Sequence, residues 1–141
     1  MKQLAVTIFL LSTATVANAQ TQEVVLEIGD TLYFDQCIGD NYAYIDYFQK
    51  TRFEEDKLLH DTATGIRYYK AFFDTGDFDV HRMPSNMKGR YGLIKHMMQV
   101  KLEEIGTQAV FIAEIEKGRT AAYVLELAFS QGEVIWSPSP R

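Results

Sequence analysis

One short run of acidic residues with a histidine is the part of this sequence best suited to binding a cation. Asp77, Asp79 and His81 alternate with Phe78 and Val80. If residues 77–82 are extended, the three polar side chains lie on one face, roughly 6 to 7 Å apart. Carboxylate oxygens bind Ca²⁺, but the run lacks the D-x-D-x-D-G spacing of a calcium loop, and a straight strand spreads its ligands widely. We expect a solvated strand face, with Ca²⁺ binding at Asp77, Asp79 and His81 as the alternative.

The same region carries a motif that could do carboxylate chemistry. Asp74-Thr75-Gly76 follows Phe72-Phe73 and resembles the apolar-apolar-Asp-Thr-Gly motif of aspartic proteases. The residue after the glycine is small in those enzymes, whereas it is Asp77 here. The motif occurs once, so a protease would have to dimerise for two aspartates to share a proton. The segment favours a strand followed by a turn, and a small secreted hydrolase using carboxylates around Asp74 to Asp79 is the alternative function.

Nucleophilic and nucleotide chemistry find little support in the sequence. No serine lies in a G-x-S-x-G elbow, and the three histidines lack the H-x-H and H-E-x-x-H spacings of zinc sites. Cys37 could pair with a histidine, but it follows an apolar strand-like segment and is expected to be a small buried side chain. Glycine-rich phosphate loops are also missing. We expect a protein without catalytic residues.

Aromatic residues give a stronger indication of function. Thirteen of the eighteen Phe, Tyr and Trp residues lie between Tyr33 and Tyr91. Rings that stay exposed on a sheet bind sugars or protein partners, because each provides a large contact area at a small entropic cost. The candidate binding residues are Tyr42, Tyr44, Tyr47, Tyr68 and Tyr69. The alternative is that these rings fill the core, as aromatics in strands often do.

The elements that must position these residues are predicted to be strands. Turn-forming pairs such as Gly29-Asp30 and Lys117-Gly118 recur at short intervals, and the segments between them are rich in Val, Ile, Tyr, Phe and Thr. Residues 109–116 alternate, with Ala109, Phe111 and Ala113 on one face. A hairpin at Lys117-Gly118 would return a strand with Tyr123, Leu125, Leu127 and Phe129 on one face.

Two segments fit a helix as well as a strand. For 120–130 the helical reading has Thr120 as N-cap and Gly132 as C-terminal glycine, but we favour a strand. For 91–105 both periodicities fit equally well. The predicted fold is all-β or β-rich α+β, a small antiparallel barrel or two-layer sandwich with at most one or two helices.

The first residues are typical of a cleavable signal peptide. Lys2 precedes an apolar stretch that begins at Leu4, and Ala17-Asn18-Ala19 has the small-x-small pattern of a cleavage site. The apolar stretch is short for a transmembrane helix, which needs roughly 20 residues. We expect residues 1–19 to be removed and residues 20–141 to form one β-rich domain with a short flexible tail at 137–141. The protein would be exported to the periplasm or the extracellular space, without membrane insertion after cleavage.

Charge narrows the classes of partner. Removal of the leader removes one basic residue, Lys2, and no acid, so the formal net charge changes from −5 to −6. The basic residues are scattered, which argues against nucleic acid. With a single cysteine the chain has no internal disulfide. We expect a non-catalytic binding module that recognises a protein, as an inhibitor or immunity-like factor, or a glycan, through an acidic, aromatic-rich surface. An envelope structural subunit is a further alternative.

Overall fold

A computed structural model describes residues 7–10, 22–51, 66–74 and 76–138. Seven antiparallel strands form one sheet in the order β5-β4-β8-β7-β6-β3-β9, which curls into a half-barrel. A separate two-stranded sheet pairs β1 with β2. The strands are β1 Thr7–Leu10, β2 Gln22–Val25, β3 Thr31–Phe34, β4 Asn41–Lys50, β5 Phe78–Pro84, β6 Tyr91–Leu102, β7 Gly106–Glu116, β8 Thr120–Leu125 and β9 Val134–Ser137.

Short helical segments connect the strands. Helix α1, Ile66–Tyr69, continues into a π-helical segment, Lys70–Asp74, and a 3₁₀ turn, Ser85–Met87, follows β5. Helix α2, Leu127–Ser130, lies between β8 and β9. In the part of the chain that the structure describes, no helix is long and apolar enough to cross a membrane. The predicted cleavage site at Ala17-Asn18-Ala19 lies outside the described residues.

The prediction of a β-rich antiparallel fold is confirmed, and both ambiguous segments contain strands. Residues 91–102 are extended throughout as β6. In the second segment the strand ends at Leu125, because Glu126 adopts helical backbone angles, and α2 follows. The expectation that Phe129 continues the strand is therefore wrong: its ring packs against Phe111 from α2, at 5.4 Å between centroids. Ser137, the first residue of the expected tail, is the last residue of β9.

Both faces of the central sheet are covered, which produces two cores. The inner core lines the concave face and receives side chains from all seven strands, among them Leu32, Phe34, Ile45, Met83, Ile94, Phe111, Val124 and Val134. The outer core lies between the convex face and the segment 66–74, and its buried members are Phe72, Val110, Ile112 and Ala121. Strand β7 contributes to both cores, so its alternation separates two apolar sets.

The outer core explains much of the aromatic concentration. The rings of Phe72 and Phe73 in the π-helical segment lie 4.9 Å apart between centroids at an inclination of 48°, and Phe73 packs edge-on against Phe48 of β4 at 4.8 Å. The Lys50 ammonium donates a hydrogen bond to the Phe72 carbonyl at 2.7 Å and lies 5.1 Å from the centre of the Phe72 ring. Burial lowers the pKa of Lys50, and Asp77 partly opposes that effect. These contacts hold the helical segment against the sheet.

A β-bulge in β4 interrupts its pairing with β5. The register shifts between Asn41 and Asp46, which leaves two successive backbone N–H groups without β5 partners. The Glu133 carboxylate accepts both, from Ala43 at 3.0 Å and from Tyr44 at 2.9 Å. Burial raises the pKa of Glu133, while these hydrogen bonds and the nearby positive charge of Arg82 act in the opposite direction. One buried carboxylate therefore completes the hydrogen bonding of the bulge.

Candidate functional site

Four large apolar side chains lie exposed on the convex face of β9, β3 and β6, and we call them the outer row. Tyr33 pairs with Ile135 on one side and with Tyr91 on the other, and Leu93 follows on β6 opposite Thr31. The exposed fractions are 53% for Ile135, 42% for Tyr33, 56% for Tyr91 and 38% for Leu93. The rings of Tyr33 and Tyr91 are 5.8 Å apart and inclined at 51°.

Strand alternation directs these side chains away from the inner core. Leu32 and Phe34 point inward, so Tyr33 between them points outward, and Gly92 and Ile94 have the same relationship to Leu93. Among the described residues, the sheet members of the outer core come from β4, β6, β7 and β8, and β3 and β9 contribute none. The outer row therefore lies beyond the area that the helical segment covers.

An open depression of about 440 Å³ adjoins the outer row, lined by Tyr91, Leu93, Lys95, Glu114, Ile115 and Lys117. Two β-bulges occur at this place. The β6–β7 register shifts between Ile94 and His96, and the β7–β8 register shifts between Glu114 and Glu116. Each bulge re-aims side chains of its strand. Lys95 and Ile115, the residues within the two shifts, both line the depression.

The border of the depression carries charges of both signs. The Glu114 carboxylate is buried and accepts the Gly118 N–H at 3.1 Å, and its other oxygen lies 4.0 Å from the Lys95 ammonium. Arg90 pairs with Glu116 at 3.7 Å on the exposed surface. Lys117 adds an exposed cation at the edge of the depression. Three basic residues therefore face two acids, in a chain whose net charge is negative.

The sequence-predicted tyrosines do not form one surface. Tyr42 is only 1% exposed, and its hydroxyl donates to the Asp35 carbonyl at 2.9 Å. Its inclusion in a binding surface was wrong, because it fills the inner core. Burial raises the pKa of Tyr42 to about 12, with Cys37, Asp35 and Glu133 adding to the effect. Tyr44 and Tyr47 are half-buried and pack against the same core.

Tyr68 and Tyr69 lie on the helix α1 and not on a strand. The Tyr69 ring lies between those of Phe73, at 4.9 Å, and His96, at 5.1 Å. It is half-buried and belongs to the outer core. The side chain of Tyr68 lies outside the described part of the structure.

The acidic run lies on the opposite edge of the sheet from the outer row. Asp79 and His81 are exposed on β5, opposite Gln49 and Tyr47, and Asp77 precedes the strand. Within the described residues, no three His, Cys, Asp or Glu side chains are grouped closely enough to hold a metal ion. Asp74, Asp77 and Asp79 do not line the depression. The described geometry adds no support to the calcium alternative.

Cys37 packs against the inner core, and its thiol lies 3.7 Å from the Gly39 carbonyl. Burial raises the pKa of the thiol, with Glu133 and Asp40 adding to the effect. His96 packs against Tyr69 on the other face of the sheet. The sheet therefore separates this cysteine from His96, and the raised pKa disfavours the thiolate that a nucleophile needs.

Sequence reasoning missed all four residues of the outer row. Tyr33 lies in Thr31–Phe34 and Ile135 lies in Val134–Ser137, and each segment has apolar residues on both faces, so neither shows which face is covered. Tyr91 and Leu93 do alternate with Gly92 and Ile94, and this alternation was the sequence signal that could have placed them on the face opposite Ile94. No protein-family model matches the chain, and neither a curated protein nor a solved structure matches it.

Proposed function

We propose that this protein is an exported, non-catalytic binding module that recognises another protein through the outer row and the adjacent depression. The observation that carries the proposal is the arrangement of Ile135, Tyr33, Tyr91 and Leu93 on three adjacent strands, each at least 38% exposed. Single exposed apolar residues are ordinary, whereas a contiguous group is typical of an interaction surface. Tyrosine is also among the residues that most often dominate binding energy at protein interfaces.

Geometry favours a protein over a glycan. A sugar ring stacks on a flat aromatic platform, but the Tyr33 and Tyr91 rings are inclined at 51° and present no common plane. Two inclined rings beside a depression suit an inserted apolar side chain, which gains contacts on more than one side. The depression is large enough for such a side chain.

Charge indicates what should lie next to that apolar side chain. Glu114 is already partnered by Gly118 and Lys95, whereas Lys117 is exposed at the border. A carboxylate on the partner would meet these lysines favourably, and such complementarity increases association rate and specificity. The partner segment would therefore present an apolar residue beside Asp or Glu. This departs from the expected acidic surface, which would favour a basic partner.

The test is selection from a random peptide display library and, in parallel, screening on a glycan array. We expect enriched peptides with an apolar residue beside an acid. Tyr91→Ala and Lys117→Glu should each weaken binding of a selected peptide about fivefold or more, since interface anchors contribute more than about 1 kcal/mol. Val80→Ala is the matched control, because Val80 is 53% exposed on β5 at the opposite edge of the sheet.

Circular dichroism and the melting temperature verify that each variant is folded. Binding that is indifferent to Tyr91→Ala, or the absence of any selected ligand, would contradict the proposal. Binding to a glycan that Tyr91→Ala abolishes would assign the surface to a sugar.

A further inference from the structure

The two edges of the seven-stranded sheet differ in how they are protected. Exposed edge strands can pair with other chains, and proteins usually prevent this with charges, proline or bulges. Strand β5 has all three: Asp79 and Arg82 are exposed, Pro84 ends the strand, and its pairing with β4 is irregular. Strand β9 reads Val-Ile-Trp-Ser and carries no charge. Within Val134–Ser137 the β9 edge has no charge, no proline and no register shift, and Pro138 follows directly after it.

The hydrogen-bonding groups on that edge can be assigned from the ladder. The Asp35 N–H donates to the Glu133 carbonyl at 2.7 Å, and the β3–β9 register continues this pairing without a shift. Because successive residues of a strand direct their backbone groups to opposite sides, Ile135 and Ser137 bond to β3, while Val134 and Trp136 direct theirs outward. Among the described residues, no backbone hydrogen bond reaches those outward groups.

We propose that two copies of this chain associate through antiparallel pairing of their β9 strands, with Ile135 opposite Ile135 of the second copy. In that register the N–H and C=O groups of Val134 pair with those of Trp136 across a twofold axis, which gives four hydrogen bonds. A shift to Trp136 opposite Trp136 would place Val134 opposite Pro138. The Val134 carbonyl would then lack a donor, because proline has no N–H.

Side chains favour the same register. On the convex face, Tyr91, Tyr33 and Ile135 of one copy continue into Ile135, Tyr33 and Tyr91 of the other as one apolar row. No like charges meet, since β3 and β9 carry none. The backbone edge forms this contact, so the convex surface of the outer row stays open, and the association does not depend on the proposed partner binding.

The test is sedimentation equilibrium of the purified protein over a wide concentration range. We expect a monomer–dimer equilibrium with a mass limit of twice the chain mass. Ile135→Lys should give a monomer, because two ammonium groups would lie opposite one another. Val80→Lys adds the same charge at the same 53% exposure on the other edge and should still dimerise.

A mixture tests the register itself. Ile135→Lys and Ile135→Glu should each be monomeric alone, and their mixture should form a heterodimer because opposite charges then meet. The proposal would be overturned if the wild-type protein were monomeric at all concentrations or formed polydisperse aggregates. It would also be overturned if Val80→Lys abolished the dimer and Ile135→Lys did not. No heterodimer in the mixture would overturn the Ile135 register. Tyr91→Ala should weaken peptide binding while leaving the dimer intact, so the two proposals can fail separately.

Discussion

The indole N–H of Trp136 donates a hydrogen bond to Asp30 Oδ2 at 2.8 Å, and the same oxygen accepts the Glu27 N–H at 2.8 Å. Asp30 is buried at the start of β3, so this carboxylate ties the last strand of the sheet to the turn that follows β2. The contact holds the concave side of β9 in place. The outward N–H and C=O groups of Val134 and Trp136 on β9 are therefore held in a fixed position.

Trp136→Phe should lower the free energy of unfolding by about 1.5 to 3 kcal/mol, the usual range for a hydrogen bond to a charged group. The aromatic volume is largely retained, but Asp30 loses a donor while remaining buried. Urea unfolding followed by circular dichroism measures this, since Trp136 is the only tryptophan and fluorescence would be lost. Tyr91→Phe on the exposed face is the control and should have almost no effect. An equal loss in both variants would contradict the anchoring role.

Glu133→Gln should destabilise the protein by about 1 to 3 kcal/mol at neutral pH, because an amide offers one acceptor oxygen where the carboxylate accepts from Ala43 and Tyr44. Since burial raises the folded-state pKa above the unfolded value, Glu133 binds its proton more tightly in the folded protein. Its contribution to stability therefore increases as pH falls through the folded pKa toward the unfolded one, and is smallest at higher pH.

The measurement is the unfolding free energy of wild type and Glu133→Gln against pH. The difference in unfolding free energy between wild type and Glu133→Gln should widen as pH falls from the folded pKa of Glu133 toward its unfolded pKa. Glu103→Gln, in the exposed turn after β6, is the matched control. A difference that stays constant with pH would show that Glu133 does not titrate in this way.

Gly92→Ala should cost about 1 to 3 kcal/mol through overpacking. A Cβ at this position would lie 2.9 Å from the Ala113 Cβ and 3.2 Å from the Glu114 carbonyl oxygen. The double variant Gly92→Ala, Ala113→Gly removes the first clash and should recover part of the loss. Chemical denaturation of the two single variants and the double variant gives the coupling energy. Strict additivity would mean that the contact with Ala113 is not the cause.

Tyr42 should make the fold sensitive to alkali. Its folded-state pKa of about 12 exceeds the ordinary value of 10, so the unfolded chain ionises first and stability is lost as pH rises above 10. Tyr42→Phe should cost about 1 kcal/mol at neutral pH for the lost hydrogen bond to Asp35. It should also show a smaller alkaline decline, so the two stability curves converge with rising pH. Parallel stability curves for wild type and Tyr42→Phe would show that Tyr42 does not cause the alkaline decline.

A chain that begins at Gln20 should keep the melting temperature of the full chain. Strand β1 pairs with β2 in a sheet of its own and lies outside the seven-stranded sheet. Export with cleavage after Ala19 would produce this form, and mass spectrometry of the secreted protein should find Gln20 at its N-terminus. Retention of residues 1–19 after secretion would disprove the signal-peptide prediction, and unfolding of the shortened chain would show that β1 is needed.

Sequence patterns were sufficient for strands whose two faces differ in chemistry or whose turns are marked by glycine. The hairpin at Lys117-Gly118 is present as predicted, and the predicted alternation holds over residues 109–114, up to the register shift between Glu114 and Glu116. Strand β7 is apolar on both faces because both are covered, so its alternation showed where the strand lies but not that two cores exist. The half-barrel curl likewise depends on contacts between strands distant in sequence.

The site was much harder to predict than the fold. Aromatic type is the same in a core and on a surface, so Tyr42 and Tyr33 could not be distinguished from composition. What separates them is the face of the sheet on which they lie: Tyr42 points into the inner core, whereas Tyr33 lies on the convex face, where segment 66–74 leaves β3 and β9 uncovered. Which part of the face is covered depends on tertiary packing, so it cannot be predicted from local sequence patterns. A short strand such as Val134–Ser137 also gives no hint that it is the last in its sheet.

The bulge in β4 has a consequence for which changes in chain length this protein can accept during evolution. Before the bulge the even-numbered residues Tyr42 and Tyr44 face the concave side, and after it the odd-numbered residues Ile45 and Tyr47 face that side. The change from even to odd positions therefore falls between Tyr44 and Ile45. Deleting one residue there would remove that exchange and turn Ile45 outward, or turn Phe48 away from the outer core. Homologous chains should therefore vary in length in their surface loops and keep an unchanged number of residues in β4, together with an acid equivalent to Glu133.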